Sequence, residues 1–282
     1  MIKKFTTLLS ILSVTFALNA QIQTPQPSPG AKIEQTVGMT TIKVDYSRPS
    51  MRGRVVFGDL VPYGKLWRTG ANMRTSISFG DDVTIEGQEL KKGTYAIFSI
   101  PSEDSWDVIF YTEYKAGGAP QELDNSKVAL KVNVKTGQMT NAWESFTIAF
   151  GDFTNDSANL YIAWEKTMVR LNVGVPSDVI AMKSIETTMA GPAAGDYFHA
   201  AVYYLTSGKD LNQAKTWIDK AVEMDGENQK FWVLRQQSLI YAGLNKKKEA
   251  VAIAEKSLKL AEKYKNADYV KMNKESIAEW SK

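Results

Sequence analysis

The chain has no cysteine and a single histidine, His199. Without thiols there are no disulfides, no thiolate metal sites and no lipid attachment at cysteine, so stability rests on ordinary packing. One histidine cannot build a multi-histidine metal site. His199 stands beside Phe198 and Ala200 on a helical stretch, where it reads as a packing or surface residue and not as a catalytic base. No Walker loop or Gly-x-Gly-x-x-Gly turn is present, so no cofactor is expected. Past residue 20 no apolar run is long enough to cross a bilayer. The formal charge of +3 is too small to create a field that gathers nucleic acid.

What is present begins with residues 1–20, MIKKFTTLLSILSVTFALNA. Lys3 and Lys4 precede an apolar stretch from about Leu8 to Leu18, and Ala20 is a small residue of the kind found before a cleavage point. This is the layout of a secretory signal peptide, with cleavage expected between Ala20 and Gln21. The mature protein would be exported, to the periplasm or the extracellular space. Removing 20 of 282 residues leaves 262, enough for two cores. The two lysines leave with the signal, and the balance falls from +3 to +1. Residues 21–30, QIQTPQPSPG, carry three prolines and read as a flexible, extended leader.

From residue 31 to about 175 apolar side chains recur at every second position. Ile42, Val44 and Tyr46 do so, as do Val83 and Ile85, and Val128, Leu130, Val132 and Val134. Phe146, Ile148 and Phe150, then Leu160, Ile162 and Trp164, then Val169, Leu171 and Val173 repeat the pattern. A period of two is that of a strand with one buried face. Tyr95 to Ile100 and Trp106 to Tyr111 are apolar on both faces and suit central strands. Turn formers separate the runs, at Glu86-Gly87-Gln88, Lys92-Gly93, Pro101 to Asp104, Thr136-Gly137 and Asn155-Asp156. The stretch Gly117 to Ser126 is left as a short helix or an irregular crossover. An antiparallel β-sandwich, or a barrel-like variant of it, is expected.

After Pro176 the period lengthens. Ala214, Trp217, Ile218, Ala221 and Val222 follow helical spacing, and Ala250, Ile253, Ala254, Ser257, Leu258 and Ala261 repeat it. Asp210 with Gln213 begins a helix, Gly208 and Gly243 end helices, and Ser177 is a candidate N-cap. Tyr197 and Trp232 are 35 residues apart, as are Gly208 and Gly243; Ala214 and Ala250 are 36 apart. That spacing resembles the tetratricopeptide family over residues 177–282. The resemblance implies a helical surface for a protein partner. It is partial: Gly226 stands where the first unit would carry proline.

Five of the seven arginines fall between residues 48 and 74, at Arg48, Arg52, Arg54, Arg68 and Arg74. The same stretch holds Phe57, Tyr63, Trp67, four glycines and two prolines. Guanidinium forks match carboxylate or phosphate geometry and stack on rings. Two readings follow. In one, Arg68 or Arg48 bridges carbonyls and Asp45 or Asp59 to pin a long inter-strand loop. In the other, Arg48, Tyr63, Trp67, Arg68 and Asn72 line a shallow pocket for an anionic small molecule or glycan. Loop-pinning is preferred, because such arginines are common. Paired carboxylates among Asp45, Asp59, Asp81, Asp82 and Glu113 leave open a hydrolase or lyase acting on an acidic polysaccharide, although no spacing singles out a pair.

The runs YSRPSMRGR (46–54), FGDLVPYGKLWRTGAN (57–72) and LKKGTYAIFSIPSEDSWDVIFY (90–111) carry a further resemblance. Over about residues 26–175 the chain resembles the bacterial family known as Domain of Unknown Function twenty-nine eleven. That resemblance implies export, a β domain and, in some members, following helical repeats; it implies no activity. Met73-Arg74 departs from the family, which tends to have an acidic and then a small residue there.

Overall fold

The computed structural model describes residues 24–189 and 191–282. The expected signal peptide and its Ala20/Gln21 junction lie outside the described residues. Among the described residues nine strands precede six helices. The strands are β1 (Gly30–Val37), β2 (Thr40–Ser47), β3 (Ser76–Phe79), β4 (Val83–Ile85), β5 (Gln88–Leu90), β6 (Gly93–Pro101), β7 (Ser105–Tyr111), β8 (Val128–Gly151) and β9 (Ser157–Gly174). Every pairing is antiparallel, in the order β1-β2-β3-β6-β7-β8-β9-β4-β5.

The long strands β8 and β9 make the architecture sandwich-like. The first half of β8 pairs with β7, through Val128 to Lys135, and its second half pairs with β9, from Thr136 to Gly151. The turn expected at Thr136-Gly137 is therefore absent: Gly137 stays in the ladder opposite Met168. A glycine in a strand tolerates the bend that carries β8 from one sheet to the other. The two runs 160–164 and 169–173 are likewise one strand, β9.

The inward side chains form one core. Ile42, Val44, Ile77, Ile97, Trp106, Val108, Phe146, Ile162 and Trp164 are all essentially inaccessible. β6 and β7 lie inside the sheet, and their second apolar face is also explained. Phe98, Ile109 and Tyr111 form a smaller cluster with Leu66, Tyr114, Leu123 and Val128. The irregular segment 112–127 supplies part of that cover and ends in a short 3-10 turn, Asn125–Lys127.

The helices are α1 (Ser177–Thr188), α2 (Ala194–Thr206), α3 (Leu211–Asp225), α4 (Phe231–Gly243), α5 (Lys247–Lys263) and α6 (Ala267–Trp280). From α2 onward each packs chiefly on its neighbour in sequence. Small residues sit at the crossings, among them Ala201, Ala214, Ala221, Ala250, Ala254 and Ala261, so the axes approach closely. Asp210 caps α3 by accepting from the Asn212 amide at 2.8 Å. Asp219 ties α3 to α4: its carboxylate accepts from Lys215 (2.8 Å), Gln237 (2.7 Å) and Tyr241 (3.0 Å).

The expected N-cap at Ser177 is displaced by one residue. Pro176 occupies the cap and Ser177 opens the helix, buried, with its Oγ accepting from the Met39 amide at 2.9 Å. The β1–β2 turn, Gly38-Met39, is thus seated on the first turn of α1.

Candidate functional site

The arginine-rich segment is the connection between β2 and β3. It runs along the outer half of β6, in line with β3. Gly64 N–H donates to Pro101 O (2.8 Å), Trp67 and Ser99 exchange both main-chain bonds, and Ile97 N–H donates to Thr75 O. At its start the segment also fastens to β8, where Phe146 N–H donates to Pro49 O and Met51 N–H to Glu144 O.

This path decides where each expected site residue points. Trp67 turns inward. Its ring lies 5.3 Å from Phe146 and 5.9 Å from Trp106, and stacks on Trp164 at 6.1 Å, while its indole N–H donates to Gly70 O. It packs, partly buried, against the core. Arg48 forks onto β8, to Phe146 O (3.0 Å) and Thr147 Oγ1 (2.7 Å). Arg68 donates to Asn72 O (3.0 Å) across the Thr69–Asn72 turn. Asn72 has a left-handed backbone, φ 58°, and donates to Ser28 O and Ser47 Oγ. Tyr63 lies at the opposite end of the segment, its ring packed over Gly58. Partial burial, and then the carboxylates of Glu103 and Glu165, push its hydroxyl pKa above the ordinary phenol value.

Arg68 and Asn72 therefore share one turn, and Arg48 and Tyr63 are directed elsewhere. The remaining arginines behave like Arg48. Arg52 reaches Pro27 O (3.0 Å), and Arg54 reaches Met51 O (2.8 Å) and Ser50 O (2.7 Å). The leader residues 27–29 are held in this way, by Arg52, Asn72 and the Arg48 amide. Asp45 pairs instead with Lys32 (3.3 Å) across β1 and β2.

Arg74 is the exception in depth. It is buried, with its guanidinium 5.3 Å from the Phe98 ring and 5.9 Å from that of Tyr111. It donates to Glu113 O and to Gly118 O (3.0 Å), and the Glu113 carboxylate stands 3.8 Å away. This side chain clamps the 113–118 loop on the outer face of the sheet, together with the main-chain bonds from Arg74 N–H to Ala116 O and from Gly118 N–H to Asn72 O and the Lys127–Glu113 pair. Sequence reasoning did not separate Arg74 from the other arginines. The available signal was parity: it shares the outward register of Ser76 and Ser78, beside β6, whose outward face carries Ala96 and Phe98.

Defined clefts lie at the junction of strands and helices. One, of about 420 Å³, is lined by Asn155, Asp156, Asp178, Tyr203, Ser207 and Lys209 among others. Asp178 accepts from Lys209 (2.6 Å) and Tyr203 (2.8 Å), which hold its pKa below the ordinary carboxylate value. Burial, reinforced by Asp178, pushes the Tyr203 phenol up to about 12. Among the described residues no group of three or more His, Asp or Glu side chains is disposed to hold a metal ion, and no helix is long and apolar enough to cross a membrane.

Together these features define a class: an antiparallel β-sandwich-like unit with a self-fastened arginine loop, followed by a helical unit. Within that class the chain belongs to the family described as protein of unknown function (DUF2911), whose model matches residues 28–173. The match covers the strands and stops short of the helices. No curated protein and no solved structure matches the chain.

Proposed function

We propose that the chain is an exported, non-catalytic binding and scaffolding module, with a signal peptide over residues 1–20. The β unit over residues 31–175 presents a rigid surface, and residues 177–282 form a tetratricopeptide-like array for protein contact. One observation carries the non-catalytic reading. The guanidiniums of Arg48, Arg52, Arg54 and Arg68 each donate to main-chain carbonyls of their own protein, Arg48 on β8, Arg52 on the leader, and Arg54 and Arg68 within the connection itself. Arginines held in this way fasten a loop and do not converge on a substrate. The array reading is supported by two successive helix pairs, α2–α3 and α4–α5, in which Ala214 and Ala250 occupy the same buried position 36 residues apart.

The test is a panel of acidic oligosaccharides and esters incubated with the purified mature protein. No turnover is expected, and Arg68→Ala should lower the melting temperature. Turnover that disappears in Arg68→Ala while melting is unchanged would overturn the reading in favour of a hydrolase or lyase. Mass spectrometry of the exported protein should find Gln21 at its N-terminus.

A further inference from the structure

At one end of the β unit two large aromatic side chains stand in solvent. Trp143 is 43% exposed and Tyr63 is 39% exposed. They belong to different segments that meet at Glu165. Trp143 is the cross-strand partner of Glu165, with a register break on each side of that pair. Glu165 has a left-handed backbone, φ 56°, inside a strand. Its carboxylate accepts from the Val56 amide at 3.2 Å, and two residues beyond Val56 the ring of Tyr63 lies on Gly58. Bulges of this kind re-aim side chains, and a non-glycine residue at positive φ persists only where its surroundings enforce it. Here the result is a tryptophan turned outward beside a carboxylate.

We propose that Trp143 and Tyr63 form a platform for a neutral oligosaccharide. The proposal rests on the non-catalytic reading above and supplies its ligand class. The apolar faces of sugar rings stack on exposed aromatic rings, which retain a polar edge for hydrogen bonding. The hydroxyls then need acceptors. Glu165 is the cross-strand partner of Trp143, Glu144 follows Trp143 in β8, and Glu103 lies on the β6–β7 turn; each is an acceptor-only carboxylate. Glu144 accepts one bond, from the Arg52 amide, and Glu165 one, from Val56, so each keeps acceptor capacity. A uronic acid would bring its own carboxylate against these three.

Size argues against a protein partner on this patch. Two rings about two-fifths exposed offer roughly 100 Å² each, and with Val55 and Leu60, exposed on the same connection, the patch still falls below the ~800 Å² that each side of a stable protein interface buries. A short glycan needs no more than such a strip.

Isothermal titration of the mature protein with neutral hexasaccharides (gluco-, manno-, xylo- and N-acetylglucosamine series) tests the proposal, with oligogalacturonate as the anionic comparison. At least one neutral series should bind and the galacturonate should not. Trp143→Ala should weaken binding at least about tenfold, Tyr63→Ala should weaken it, and Tyr63→Phe should retain it, each variant remaining folded by circular dichroism. Failure of every neutral series to bind overturns the proposal, as does binding indifferent to both alanine variants. Concentration-dependent self-association lost in Trp143→Ala, without sugar binding, also overturns it. Bound sugar that is cleaved would leave the platform in place and overturn only the non-catalytic reading.

Discussion

Gly38→Ala probes the seam between the two units. Gly38 has φ +53°, and a Cβ built there would lie 1.9 Å from Ser177 Oγ and 2.4 Å from Asn155 O. Neither atom can retreat easily. Ser177 is buried in the first turn of α1, and the neighbouring Asp156 carbonyl is bonded to the Val175 amide at 2.7 Å. Two costs combine: a left-handed non-glycine residue costs about 1–2 kcal/mol, and forced displacement in a packed site about 1–3 kcal/mol more. The bond from the Met39 amide to Ser177 Oγ would be strained or lost as well. A total of about 2–5 kcal/mol corresponds to a fall in melting temperature on the order of 10 °C for a chain of this size.

Gly87→Ala is the matched control. Gly87 also lies at positive φ, +76°, in the β4–β5 turn, but a Cβ there meets nothing within 4 Å. It should show the backbone cost alone. Denaturant titration and calorimetry on both variants isolate the contact, and in a Ser177→Ala background the excess should shrink by about 1 kcal/mol or more. Equal losses in Gly38→Ala and Gly87→Ala would refute the seating of the β1–β2 turn on α1.

Three further outcomes are expected. Arg74→Ala should cost about 2–4 kcal/mol, because two carbonyls lose their donor and the stem loses its packing. Arg74→Lys should recover less than half of that, since one ammonium cannot reproduce the fork; hydrogen exchange across 113–118 reads the loosened loop. Asp219→Ala should cost about 2–3 kcal/mol, because Lys215, Gln237 and Tyr241 lose a shared acceptor, and unchanged melting would refute the α3–α4 clamp. The Tyr203 phenol is raised from 10.0 to about 12. Folding therefore favours its neutral form; that stabilisation is complete below pH 10 and is lost as pH rises through about 12. Tyr203→Phe should flatten alkaline unfolding in that window, and an identical profile would refute the linkage.

The strands were legible in the sequence because one-face burial imposes alternation, as at Ile42, Val44 and Tyr46. The doubly apolar runs at β6 and β7 pointed correctly to the interior of the sheet. The Thr136-Gly137 pair misled, because turn composition is also the composition of a strand that bends between sheets. Ser177 misled for a related reason: a hydroxyl suited to an N-cap was taken by the Met39 amide, a partner 138 positions away in sequence. The candidate site was legible only as a segment. Composition located the arginines and suggested carbonyl partners, but which carbonyls they reach leaves no mark in a sequence. Trp67 and Trp143 are the same residue type, yet one packs against the core and the other faces water. The difference lies in a bulge at Glu165 that no local pattern announces.

The fastening of the β2–β3 connection has a chemical consequence. A guanidinium stays protonated at any pH a folded protein survives, and a peptide carbonyl does not titrate at all. Carboxylate pairs let go in acid and weaken in brine; an arginine fork on an amide oxygen is far less sensitive to either. A loop closed by such clasps keeps its shape where the surroundings change from fresh to saline or from neutral to sour.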